Sequence, residues 1–280
     1  MKFLTNSLFI LLFIINQSTG QQSTSCCKVS SIKAFTDLAN DISFVITHEE
    51  PFPFTLENPI GKNITFPVND GENGKGYFIA GEKGNTKWIF VFQEWWGLND
   101  YIRKQADMLH SSFPDVNILA VDLYDGKVAT TREEAGALMQ GANPERIEKI
   151  IISASEYAGT KSKIATIGWC FGGVWSNKAA IMLGKKVAAC VMYYGMPVTE
   201  ESQLSQLSAP VLGIFADNDG WITPKVVFEF NEKMKKLGKS IETHSYDADH
   251  AFANPSNPRY SKSFSEDAWS KSLDFLRKHL

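Results

Sequence analysis

Cysteine is scarce in this chain: Cys26, Cys27, Cys170 and Cys190 are the four in 280 residues. That is far too few for a disulfide framework, so a buried apolar core has to hold the fold. Vicinal Cys26 and Cys27 do not easily bridge to each other, because a relaxed disulfide needs Cα atoms roughly 4.4–6.8 Å apart in suitable orientation. Charge of one sign is also missing. No Lys/Arg block stands out among 28 basic and 31 acidic residues, and a formal charge of −3 leaves no electrostatic footprint for a nucleic-acid partner. Past residue 20 no apolar run is long enough to span a bilayer, and there is neither an internal repeat nor a low-complexity tract. What is present is a hydrophobic content of 44% with 12% aromatics, enough for a sizeable core. The length lies within the range of a single α/β unit.

The first twenty residues differ from the rest. Lys2 gives a positive start, Leu8 to Ile15 form an unbroken apolar run, and Ser18 and Gly20 offer small residues where a signal peptidase reads. Residues 1–20 are therefore expected to be a signal peptide cleaved after Gly20, with the mature chain secreted or in the lumen of the secretory pathway and not in the membrane. No retention tetrapeptide ends the chain. The sequon at Asn63 is a weak glycosylation signal. Residues 21–61 lack a clear period and carry Pro51, Pro53 and Pro59. They read as an N-terminal extension with one helix over 32–42, laid over or beside a main domain at 62–280.

From residue 62 the pattern becomes regular. Strand-length apolar runs fall at 64–68, 76–80, 88–92, 116–121, 164–168, 187–193 and 211–216, with a weaker alternating stretch at 241–246. Helical spacing occupies 101–109, 132–140, 144–157, 172–183, 224–237 and 268–279. Two hairpin-like strands followed by alternating strand and helix imply an α/β fold, a mostly parallel central sheet with helices on both faces.

The sharpest local signal is Gly168-Trp169-Cys170-Phe171-Gly172-Gly173, placed between a strand and a helix. A nucleophile elbow has this form: the chain turns within a few residues, and flanking glycines let neighbouring segments approach. Cys170 stands where Ser is usual. A thiol at a helix N-terminus is expected to favour thiolate, and the Phe171 N–H to serve an oxyanion hole. A thiol nucleophile needs an imidazole base, and the base an orienting acid, in the chain order nucleophile, acid, His. His244 lies within a strand and His279 in the terminal helix, whereas His250 sits in a loop just past the last strand. Asp219 is favoured over Asp217 as the acid, because the residues after it lead into a helix.

Gln93-Glu94-Trp95-Trp96-Gly97-Leu98-Asn99, Asp122-Leu123-Tyr124, the Gly168–Gly173 elbow, Tyr193-Tyr194-Gly195, Asp219 and His250-Ala251-Phe252 together resemble the dienelactone hydrolase (carboxymethylenebutenolidase) family. The resemblance implies the α/β-hydrolase fold. It also implies that Glu94 holds Cys170 poorly reactive until substrate arrives, and that the Trp95 N–H joins Phe171 in the oxyanion hole. Two arginines that clamp a substrate carboxylate in the family are absent: Gly126, beside Lys127, and Asn254 stand at those positions. Tyr124, Lys127 and Trp221 are the expected substrate-binding residues. With Trp95, Trp96, Trp169 and Phe171 nearby in sequence, the pocket is expected to be aromatic and less anionic in its preference than dienelactone requires.

The expected function is hydrolysis of a small-molecule carboxylic ester or lactone by a monomer, through a Cys170-Asp219-His250 triad and an acyl-enzyme. His48, His110 and His250 show no ligand spacing with Cys or carboxylates, so no metal or organic cofactor is expected. The competing expectation is a secreted ligand-binding protein on a hydrolase scaffold without turnover. A redox role for Cys170 ranks last, since no Cys-x-x-Cys partner is near.

Overall fold

A computed structural model describes Met1 and residues 30–280. The expected leader, Met1 apart, and Cys26 and Cys27 lie outside the described residues. The extension folds as α1 (Ser31–Thr36), a 3-10 turn at Asp37–Asn40 and α2 (Ile42–Thr47). The single helix expected over 32–42 is therefore broken. Asp41 is the cause: its backbone is extended (φ −83°, ψ 110°) and its side chain accepts the Ser43 N–H, so a new helix starts there. Phe35 and Phe44 project from the extension into the core and are fully buried.

The main domain follows in the order β1 (Lys62–Phe66), β2 (Gly74–Ile79), β3 (Lys87–Phe92), α3 (Asp100–Ser112), β4 (Asn117–Val121), α4 (Arg132–Gly141) and α5 (Pro144–Tyr157). It continues with β5 (Lys163–Trp169), α6 (Phe171–Leu183), β6 (Val187–Tyr193), α7 (Glu201–Leu204), β7 (Val211–Ala216), α8 (Pro224–Lys236), β8 (Ile241–Tyr246) and α9 (Lys262–His279). The eight strands make one sheet in the order β1-β2-β4-β3-β5-β6-β7-β8. β1 and β2 pair antiparallel, β2 meets β4 antiparallel, and every later pairing is parallel. Helices cover both faces, which is why β4 and β7 are buried at every position and read as continuous apolar runs. Among the described residues no helix is long and apolar enough to cross a membrane.

Four strand ends and two glycines fix the centre. In an open parallel sheet the loops at the carboxyl ends of the strands gather on one side, and there the chain places Glu94 after β3, Cys170 after β5, Asp219 after β7 and His250 after β8. Cys170 caps α6 in a left-handed conformation (φ 54°, ψ −116°). This conformation costs a non-glycine residue energy and persists because the surroundings over-determine it. The turn is possible only without side chains on either side. A Cβ on Gly168 would lie 2.1 Å from the Gly172 carbonyl oxygen, and one on Gly172 would lie 2.2 Å from that of Phe92. Cys190, by contrast, is inert core: it is buried on β6, Ser176 Oγ lies 3.6 Å from its sulfur, and burial pushes its thiol up to about 11.

Because the atoms that a Gly172 side chain would strike are backbone, Gly172→Ala is expected to destabilise the protein by about 3 kcal/mol or more. Urea unfolding of the variant against the parent measures this, and equal midpoints would contradict the close-approach role of Gly172.

Candidate active site

Three side chains from the ends of β5, β7 and β8 meet. His250 donates Nδ1–H to Asp219 Oδ2 at 2.6 Å, and its Nε2 lies 3.5 Å from Cys170 Sγ. Asp219 Oδ1 accepts the N–H groups of Trp221 and Ile222, both at 2.9 Å, so the start of the following loop holds the carboxylate in place. Burial opposes the charge on Asp219, but the His250 ring and these two N–H groups outweigh it and hold the carboxyl below the usual range. Asp217, the other acid of the same turn, is exposed. His244 pairs with Glu242 on β8, and His279 packs its ring against Phe275 of α9, so neither belongs to this cluster.

Cys170 is 1% exposed. Burial first, and the neighbouring Glu94 carboxylate second, raise its thiol well above the ordinary range. The backbone N–H groups of Phe171, at the N-terminus of α6, and of Trp95, in the loop after β3, both reach the sulfur and pull the other way without overcoming burial. The thiolate expected from the helix N-terminus is thus replaced by a neutral thiol. The reason is depth: a helix N-terminus favours negative charge, but a sulfur shut away from water loses more in hydration than two N–H groups return.

Glu94 is itself buried and is pushed up to about 7 by that burial. The nearby His250 and two hydrogen bonds moderate the shift: the Tyr194 hydroxyl donates to Oε1 at 3.2 Å, and Asn254 Nδ2 donates to Oε2 at 2.5 Å. Asn254 is held in turn by Ser256, whose N–H and Oγ–H both donate to its Oδ1. Tyr194 and Asn254 are site residues that sequence reasoning did not assign. Tyr194 had a signal in the Tyr193-Tyr194-Gly195 motif of the family resemblance, which carried no role for its hydroxyl. Asn254 was visible only as a missing arginine.

Of the expected substrate-binding residues, Tyr124 packs its ring on Phe171 at 5.3 Å, and its buried hydroxyl has no hydrogen-bond partner among the described residues. Trp221 stands edge-on to His250 at 6.1 Å and donates its indole N–H to Asp41. Lys127 is exposed and borders a separate cleft with Tyr124, Asp125 and Arg146. A second groove of about 370 Å³, lined by Phe54, Tyr101, Trp169, Tyr193 and Trp269, shares Trp169, Ala253 and Pro255 with the small cavity beside Glu94.

The extension closes over the cluster. Phe44 of α2 lies 5.5 Å from Trp95, 5.1 Å from Trp221 and 5.8 Å from His250 between ring centroids. His48, at the end of α2, is 3% exposed, and its ring lies 5.2 Å from that of His250. Burial, then the His250 ring, lower its basicity to about 3, so it is a neutral imidazole. One nitrogen of His48, one of His250 and the sulfur of Cys170 lie within 4.8 Å of one another. Nothing in the sequence pairs His48 with Cys170, since the extension lacks a period and the contact is made only by folding.

The sequence model of the dienelactone hydrolase family matches residues 75–280. The chain is 27% identical over 233 residues to the protein usf of Aquifex pyrophilus, covering 79% of this chain and all of that one. It is 28% identical over 122 residues to the carboxymethylenebutenolidase of Pseudomonas sp. strain P51, covering 41% of this chain and 48% of the relative. Among solved structures it is similar to the dienelactone hydrolase-like promiscuous phosphotriesterase P91 from metagenomic libraries, with a TM-score of 0.68, 19% identity and coverage of 79% and 99%. That last likeness speaks for the fold. With the family match spanning most of the chain and the α/β-hydrolase sheet in place, the protein belongs to the dienelactone hydrolase family and is a hydrolase acting on lactones or esters.

Proposed function

We propose that the protein hydrolyses an uncharged ester or lactone with Cys170 as nucleophile, passing through a thioester acyl-enzyme. The observation that carries the reading is the chain of contacts from Asp219 through His250 to the sulfur, at 2.6 and 3.5 Å. In this reading His250 Nε2 takes the thiol proton as the sulfur adds to the carbonyl carbon, and Asp219 stabilises the resulting imidazolium. The proton passes to the leaving alkoxide. Water, deprotonated by His250, then opens the thioester and restores the thiol. The N–H groups of Trp95 and Phe171 now reach the sulfur itself; once the sulfur moves onto the carbonyl carbon they are free to hold the oxyanion. Each such donor is worth about 2.7–4 kcal/mol of transition-state stabilisation.

Glu94 acts as a brake. Its carboxylate opposes ionisation of Cys170, which protects a buried thiol from oxidation and from stray electrophiles. Asn254, standing where the family carries a clamping arginine, is committed to Glu94 rather than to a substrate. The position equivalent to the other arginine is Gly126, so no bidentate clamp for a substrate carboxylate is formed from these positions. The aromatic groove beside Trp169 suits an apolar acyl or alcohol group instead. Export belongs to the same reading and rests on the leader pattern of residues 1–20.

With an activated aryl ester as substrate, Cys170→Ala is expected to lower kcat/KM by about a thousandfold or more, and Asp219→Asn by roughly 10⁴. Undiminished hydrolysis by Cys170→Ala would remove the sulfur from the mechanism. The brake has its own test in the pH dependence of Cys170 alkylation by iodoacetamide. Removing a negative charge beside a thiol lowers its pKa, so Glu94→Gln should shift the alkylation profile to lower pH and speed the reaction at neutral pH. A superimposable profile would show that Glu94 does not restrain the sulfur.

A further inference from the structure

The geometry points to a metal site built on the same sulfur: His48, Cys170 and His250 form a three-ligand site for a thiophilic divalent cation of the zinc type. The three donor atoms lie within 4.8 Å of one another. Tetrahedral zinc, with Zn–S near 2.3 Å and Zn–N near 2.0–2.1 Å, needs its ligand atoms roughly 3.3–3.6 Å apart. The Cys170–His250 separation of 3.5 Å already meets this. The remaining gaps close with a shift of about an ångström in His48, which ends a six-residue helix of the extension rather than a strand of the sheet.

Both imidazoles are prepared in the manner of metal ligands, which as a rule donate the second ring N–H to a carboxylate or a backbone carbonyl. His250 gives Nδ1–H to Asp219, and His48 gives Nδ1–H to the Phe44 carbonyl at 2.7 Å. Each ring is thereby left with an unprotonated Nε2. That of His48 is buried and has no hydrogen-bond partner among the described residues. An unpaired buried polar atom is costly, whereas an apolar side chain would fill the same space beside Phe44 and Trp95 without that penalty. Two imidazoles and a thiolate are a donor set for zinc or copper and a poor one for magnesium or calcium. On binding, the Cys170 thiol proton leaves to solvent, a metal–sulfur bond forms, and the fourth position stays open to water. If the hydrolytic reading above holds, metal and substrate compete for the same sulfur and ring nitrogen.

The test uses the full-length chain freed of metal by a chelator and titrated with Co²⁺, a spectroscopic stand-in for Zn²⁺. The expected result is a sulfur-to-cobalt charge-transfer band in the near ultraviolet that Zn²⁺ abolishes by displacement. Cys170→Ser should remove the band, and His48→Gln should weaken cobalt binding by about tenfold or more. Near-ultraviolet circular dichroism of each variant checks that the fold persists, and Cys170→Ser with the parent chain decides the matter even if His48→Gln fails that check. Absence of the band in the folded parent chain would overturn the site. A band that survives Cys170→Ser, carried by Cys26 or Cys27, would overturn it equally. Unchanged cobalt affinity in a folded His48→Gln variant would exclude His48 as a ligand and with it the three-residue site. The spectrum does not depend on turnover. Failure of the hydrolytic reading, shown by ester hydrolysis that survives Cys170→Ala, is therefore told apart from failure of the metal site.

Discussion

The backbone turn at Cys170 is the constraint on which the rest of the site depends. A strand must end and a helix begin within one residue, with that residue left-handed, so that a side chain stands at the carboxyl edge of the sheet and at the amino end of α6 together. Close approach of α6 to β3 and β6 makes this possible, and it requires bare backbone at Gly168, Gly172 and Gly173. Once the turn is fixed, the sulfur lies in reach of two backbone N–H groups, one from its own helix and one from the loop after β3. The His250 loop and the Asp219 turn have only to deliver their side chains to a point already defined by the sheet.

Burial of the sulfur sets a conflict that the neighbouring residues manage. A helix N-terminus invites negative charge, while exclusion of water and the Glu94 carboxylate discourage it. The balance leaves a neutral thiol beside a carboxyl group whose own ionisation is shifted to about 7. Small changes in the contacts of Glu94 with Tyr194 and Asn254 therefore bear directly on the state of Cys170. The extension adds a second layer, since Phe44 and His48 pack over the cluster and are themselves buried. The domain and its N-terminal segment share one site.

Much of this was legible in the sequence, for reasons that differ from element to element. β4 and β7 are covered on both faces, so their apolar runs are unbroken and their positions unmistakable. The elbow glycines, and the order of Cys170, Asp219 and His250 along the chain, follow from how a parallel sheet presents its loops. Asp41 could have been read as an N-cap ahead of an apolar run, and was hidden by helical spacing that continued on either side. The resemblance put Glu94 beside Cys170 as a restraint, but the larger cause of the raised thiol, its depth, was not legible, because burial is decided by packing from several strands. His48 was not legible either: a lone histidine in an aperiodic segment gains its meaning only when α2 docks against Trp95 and His250.

The central claim, that sulfur carries the acyl group, is most directly tested by acid-quenching the enzyme in the first turnovers of an aryl ester and mapping the peptides by mass spectrometry. The expected result is an acyl mass on the peptide containing Cys170, absent at the same time point from the Cys170→Ser protein. Turnover with the Cys170 peptide unmodified, or an acyl group found on another residue, would contradict it.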